Sequence, residues 1–143
     1  MDVDKLDINF LKSEFLKYKK DLLHLNEYMY KNPELGYQEI NSVDKITKLI
    51  QKNVADAKYQ KFTDIPTAFT ASINKRTGKR NVAICIEYDA LPNVGHACGH
   101  NLISSIGLGA FFILSNYKSD LGYEIKLVGC PAEEIIPLTY EKG

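Results

Sequence analysis

The apolar pattern predicts an α/β fold, ordered helix, helix, strands, helix, strand, with helices covering the sheet. Three observations carry this. The N-terminal third repeats its apolar positions every three or four residues, the period of an amphipathic helix. The middle changes to short runs rich in aromatic and β-branched residues. Later runs at 81–88 and 123–130 are almost continuously apolar, as strands buried on both faces are.

Leu11, Phe15, Tyr18, Leu22, Leu25 and Met29 form one apolar stripe on a long first helix, with Lys12, Lys17, Lys19, Lys20 and Glu27 on its wet face. That helix ends before Asn32-Pro33, because proline disfavours helical backbone in the residue before it. After a turn at Pro33-Glu34-Leu35-Gly36, a second helix starts near Tyr37 and carries Val43, Ile46, Leu49 and Ile50 on one side. Residues 57–62 and 68–73 read as strands separated by Asp64-Ile65-Pro66. A polar turn at 74–80 leads to the buried strand 81–88. Asn101 reads as the N-cap of a helix over 102–117, in which Gly107, Gly109 and Ala110 permit close approach to the sheet. Asp120-Leu121-Gly122 then turns the chain into the last strand.

Composition narrows the classes of function. Eighteen basic residues balance eighteen acidic ones, so no global field attracts nucleic acid or an anionic membrane. The longest apolar run, around 106–114, falls far short of the roughly 20 residues of a membrane helix. The acidic N-terminus does not resemble a signal peptide. Three cysteines make no disulfide framework, so a cytoplasmic, reducing location is expected.

Chemistry-bearing residues concentrate between Glu87 and Leu102. Asp89, His96, Cys98 and His100 lie close together there, and two of the three histidines flank a cysteine in His96-Ala97-Cys98-Gly99-His100. Imidazole and thiolate are preferred ligands of zinc and similar ions. The bland alternative is a pair of loop histidines around a small buried thiol. Asp89 reads as a carboxylate that orients a ligand imidazole, or as a turn residue, and Glu87 shares its side of the strand. A second acidic knot, Pro131-Ala132-Glu133-Glu134, ends the last strand. One carboxylate there can bind metal while the other faces a water, the arrangement hydrolysis requires; the alternative is two solvated glutamates. Cys85 and Cys130, inside apolar runs, read as core, and His24 as a packed or surface residue of the first helix. Core packing is expected for Tyr28, Tyr30 and Tyr37 near Pro33, with lining of a groove as the alternative.

Four motifs, in this order, resemble those of the aminoacylase-type metallopeptidase and amidohydrolase family. They are Asn32-Pro33-Glu34-Leu35-Gly36-Tyr37-Gln38-Glu39, Glu87-Tyr88-Asp89-Ala90-Leu91-Pro92, Gly95-His96-Ala97-Cys98-Gly99-His100-Asn101, and Pro131-Ala132-Glu133-Glu134. Within the family they most resemble the aminobenzoyl-glutamate hydrolase branch, which includes dipeptidases acting on β-alanyl-lysine-type substrates. The resemblance implies a zinc-exopeptidase-like sheet with covering helices and two adjacent divalent metal ions, zinc or manganese. It implies Cys98, His100 and Glu134 as metal ligands, Glu133 as general base and Asp89 as supporting catalytic carboxylate, with His96 and Glu87 beside the site. The implied reaction is hydrolysis of the amide of an acyl-amino acid or small dipeptide. Family members are longer and carry further ligand histidines and a smaller dimerisation domain. Residues 1–143 are therefore expected to be an N-terminal portion of the catalytic domain, without the dimerisation domain and inactive alone. Exposed sheet edge or core surface would then favour a homo-oligomer. Two readings of another kind are a truncated non-catalytic binding or assembly module and a structural zinc-binding protein built on His96, Cys98 and His100.

Overall fold

The computed structural model describes residues 7–73, 81–117 and 123–135. Helix α1 spans Ile8–Lys31, capped at Asp7, whose side chain accepts from the Asn9 N–H, and stops at Asn32 as the following proline requires. Tyr18, Leu22, Leu25 and Met29 of the expected stripe are buried, but Phe15 is 42% exposed. Glu14 is buried in its stead: its carboxylate accepts from Asn116 Nδ2 at 2.7 Å and pairs with Lys17. The stripe rotates here because the end of the third helix brings a polar partner to this turn.

Helix α2 is Ile40–Asn53, three residues later than expected from Tyr37. Tyr37 takes the left-handed conformation (φ 64), which no helix accommodates. The first helical donors are met from a distance. Glu34 accepts from the Asn41 and Ser42 N–H groups at 3.0 and 2.7 Å, and from both of their side chains.

Four strands, β1 (Lys58–Lys61), β2 (Phe69–Ile73), β3 (Asn81–Glu87) and β4 (Glu124–Cys130), form one sheet in the order β1-β2-β4-β3. β1 pairs β2 and β2 pairs β4 antiparallel; β3 pairs β4 in parallel. The parallel pair requires a crossover, which helix α3 (His100–Ser115) supplies. α3 starts earlier than expected. Its N-cap is Gly99 (φ 83), and Asn101 lies inside the helix, its amide donating to Asn26 Oδ1 of α1 at 2.8 Å.

One face of the sheet is packed. Phe69, Ala71, Ile73, Ile125, Leu127 and Ile86 join Leu22, Met29, Ile46, Ile50, Leu108, Phe111 and Phe112 in one core. Glycines permit two close approaches. A Cβ on Gly107 would meet Ile86 Cγ2 at 2.4 Å, and one on Gly129 would meet the Phe69 ring at 2.3 Å.

The opposite face, including Thr70, Ser72, Lys126, Val128 and Cys130, is half-buried. β3 thus departs from the strand buried on both faces that its composition predicts. Among the described residues it lies at the sheet edge, and Val82, Ala83 and Cys85 are exposed. Cys85 is therefore not core, and Cys130 is only half-buried. Tyr30 and Tyr37 are likewise exposed, against expectation. The turns at 74–80 and 120–122 lie outside the described residues. Among the described residues, no helix is long and apolar enough to cross a membrane.

Candidate metal centre

The C-terminal ends of the two parallel strands open onto the start of α3, where the topology collects the acidic and imidazole side chains. β3 ends at Glu87, β4 leads through Pro131 to Glu133 and Glu134, and α3 begins with His100. The turn at 33–39 fastens these pieces together. Its Glu34 C=O accepts from the Ala90 N–H at 2.9 Å, and Leu35 bridges Ala90. Glu39, fully buried, accepts from the Ala132 N–H at 2.8 Å. A Cβ on Gly36 would meet Ala132 Cα at 2.9 Å. Only a glycine there lets the turn seat against the loop that carries Glu133 and Glu134. This positioning role for Glu34, Gly36 and Glu39 is absent from a reading of single motifs. Its signal is the apolar-poor Pro33–Glu39 stretch itself, which suits neither helix nor strand.

His100 is the centre of the cluster. Its ring is almost wholly buried, with a side-chain exposure of 4%. Nδ1 lies 2.8 Å from Asp89 Oδ1 and 3.0 Å from the Asp89 carbonyl oxygen. Both neighbours only accept, so Nδ1 carries the hydrogen. Asp89, 1% exposed, uses its other oxygen to accept from the Glu134 N–H at 3.0 Å. A single carboxylate therefore fixes both the imidazole and the Glu134 backbone.

The opposite nitrogen, Nε2, faces three carboxylates. Glu87 Oε2 is 3.3 Å away, Glu133 Oε2 3.6 Å and Glu134 Oε1 3.6 Å. Glu87, His100 and Glu133 each offer an atom to a common point, with these atoms within 4.8 Å of one another. With the hydrogen on Nδ1, Nε2 turns toward the three carboxylates. Nε2 and the Glu87 and Glu133 oxygens share one point, with Glu134 Oε1 3.6 Å from Nε2 beside it, a concentration of electron pairs that a bound cation would offset. An imidazole with carboxylates is a donor set suited to zinc or manganese. The residues fit a divalent ion.

Cys98 and His96 stand differently. Cys98 is exposed, and its thiol is held protonated to higher pH than usual, first by a hydrogen bond with Glu134 and then by burial and the surrounding carboxylates. It touches Glu134 but is not part of the Glu87–His100–Glu133 group. His96 is buried with neither ring nitrogen partnered. Burial, reinforced by His100, pushes it below the ordinary histidine value, so it stays neutral. It lines a pocket of about 480 Å³ with Tyr30, Pro33, Leu35, Leu91, Asn93 and Val94. Glu87, expected only beside the site, is the carboxylate nearest Nε2.

No family model matches the chain. Over 121 residues it is 35% identical to a mouse Xaa-Arg dipeptidase, matching 77% of this chain and 28% of that protein. It is 25% identical to one of the p-aminobenzoyl-glutamate hydrolase polypeptides of Escherichia coli, matching 76% of this chain and 26% of that one. The fold matches a Bacillus subtilis structure described as a dinuclear metal binding peptidase from the M20 family. Its TM-score is 0.73 at 24% identity, covering 87% of this chain and 37% of that one. The chain thus spans under a third of the lengths of the dipeptidase and the hydrolase.

Proposed function

We propose that this chain, which belongs to the aminoacylase-type metallopeptidase and amidohydrolase family, forms one wall of a metal-dependent amide-hydrolysing site. The observation that carries the reading is the convergence of His100 Nε2 with three carboxylates while Asp89 holds Nδ1. The substrates would be acyl-amino acids or small dipeptides, the class named by the chain's relatives.

When bound, two divalent ions, zinc or manganese, would make a water acidic and polarise the amide carbonyl. His100, Glu134 and Cys98 would hold them, with Glu87 as a further donor that its distance to Nε2 recommends. Glu133 is the most exposed carboxylate of the set, 51% at the side chain, and so has most freedom to reach a substrate water. It would accept the proton of the attacking water and return it to the leaving amine. Asp89 would keep the His100 hydrogen on Nδ1 and so keep Nε2 available as a ligand. Glu134 shares that support through its backbone N–H.

Cys98 would have to lose its proton to bind an ion. Its hydrogen bond to Glu134 and the surrounding carboxylates oppose this in the metal-free chain. A positive charge placed among the same groups reverses the effect.

With one imidazole in the cluster, the donor set falls short of what two ions require, so the chain by itself would bind metal without turnover. A non-catalytic metal-binding module is the second reading, favoured by the exposure of Cys98 and Glu133. Hydrolysis assays on the full-length gene product with added zinc or manganese separate the two. Turnover that falls by orders of magnitude on Glu133→Gln supports the catalytic reading. Turnover unchanged by that substitution removes Glu133 as the base.

A further inference from the structure

His96 and His100 lie four residues apart and are treated differently by the fold. Both ring nitrogens of His100 are met, Nδ1 by Asp89 and Nε2 by the carboxylates. His96 is 8% exposed, yet among the described residues neither of its ring nitrogens has a partner. Buried polar side-chain atoms are nearly always hydrogen-bonded, so two orphans on one ring point to a partner from outside.

The ring lines the cavity of about 480 Å³ described above, a volume within the ordinary range of small-molecule sites. The loop that builds the cavity is held by its own backbone. Leu91 and Gly95 exchange two N–H···O bonds of 3.0 Å, and Asn93 and Gly95 take left-handed conformations (φ 62 and 80) that close the turn. Leu35 bridges Ala90 at the start of the loop. The cavity is therefore shaped by contacts within this stretch of chain. The loop starts directly after Asp89 and ends directly before Cys98, so the cavity flanks the candidate metal centre. Pro33, Leu35, Leu91 and Val94 give it apolar walls, and no lysine, arginine, aspartate or glutamate lines it.

We propose that this cavity is the subsite for the acyl half of the substrate, and that His96 reads an uncharged hydrogen-bonding group on that half. The proposal rests on the amide-hydrolase reading above. An acyl-amino acid divides at its amide into an acyl half and an amino acid, whose carboxylate needs a cationic partner when buried. The lining supplies none, so the cavity suits the acyl half. A charged acyl group would be equally unpaired there. A bulky uncharged one fits: its body takes the apolar walls, and its polar tip meets an imidazole that, in its neutral form, offers one donor and one acceptor. His96 is thereby a specificity residue. It lies outside the Glu87–His100–Glu133 group and takes no part in bond cleavage.

Benzamides test the cavity apart from hydrolysis. 4-Hydroxybenzamide, benzamide and 4-carboxybenzamide are titrated into the nitrogen-15-labelled chain and followed by amide spectra. Saturable shifts are expected at Val94, Gly95 and His96, with the hydroxyl compound bound about tenfold tighter than benzamide and the carboxylate not bound. His96→Leu should remove that tenfold advantage, and Val94→Trp, at a side chain 64% exposed, should block all binding. If His96→Leu does not fold, Val94→Trp and the hydroxyl preference decide. On the full-length gene product with added zinc, kcat/KM should fall from 4-hydroxybenzoylglycine to benzoylglycine to acetylglycine, and His96→Leu should equalise the first two. No shifts, no hydroxyl preference, or full-length turnover without this order, as when the downstream chain fills the cavity, would overturn the subsite and leave the hydrolase reading standing. The expected binding beside a full-length product that hydrolyses none of the three would instead overturn the hydrolase reading and leave the cavity a ligand site.

Discussion

Replacing Asp89 with asparagine changes one oxygen into an amide nitrogen, and the structure determines what that costs. The carboxylate accepts two bonds from opposite sides, from His100 Nδ1 at 2.8 Å and from the Glu134 N–H at 3.0 Å. Asparagine offers one acceptor and one donor. Either orientation leaves an N–H facing an N–H at a site 1% exposed. A buried donor left without a partner costs about 1–3 kcal/mol. With a urea slope of about 1–3 kcal/mol per molar, the midpoint of the metal-free chain should fall by roughly 1 M. Affinity for zinc should also fall about 10- to 100-fold, because the imidazole loses the group that sets its tautomer. Exposed Asp44→Asn is the control. A midpoint within about 0.2 M of wild type together with unchanged zinc affinity would refute the argument that one carboxylate holds both walls.

Three further predictions concern separate parts of the molecule. Glu34 is held below its ordinary value: burial opposes this, but hydrogen bonds from Ser42 and Asn41 prevail. Its contribution is thus present above the usual carboxylate range and lost as pH falls through and below it. Glu34→Ala should cost about 1 kcal/mol near neutrality and flatten the acid limb of the stability curve, measured by urea unfolding at stepped pH. Gly107→Ala tests sign: helix propensity alone predicts a gain of about 1 kcal/mol. The 2.4 Å approach to buried Ile86 predicts a net loss of about 1–2 kcal/mol in thermal or urea unfolding. Finally, Glu134→Gln should speed alkylation of Cys98 at fixed pH, because Glu134 is the first cause of its raised thiol value. Peptide mapping after a timed iodoacetamide pulse reads this, with exposed Cys85 as the internal reference.

The sequence makes the ingredients of the site legible but not their ranking. Histidine and cysteine are scarce enough in this chain that His96, Cys98 and His100 stand out in one window. Ring orientation cannot be read from a window. It is set by Asp89, which sits past the end of β3 and reaches both His100 and Glu134. Glu87 ranks too low in the sequence for the same reason. Its nearness to Nε2 depends on β3 ending where α3 begins, a fact of packing.

The helices are legible from their periods, apart from the residues whose partners come from elsewhere. Glu14 is buried because Asn116 meets it, and Asn101 enters α3 because Asn26 does. β3 has the composition of a central strand, and within the described residues it stands at an edge.

The central claim is that His100 Nε2 and its three carboxylates form a cation site. Calorimetric titration of chelator-treated chain with zinc or manganese tests it, with His100→Ala and Glu87→Gln beside the wild type. The account predicts saturable binding that His100→Ala abolishes and Glu87→Gln weakens about tenfold. Absence of binding, or binding that survives His100→Ala, would contradict it.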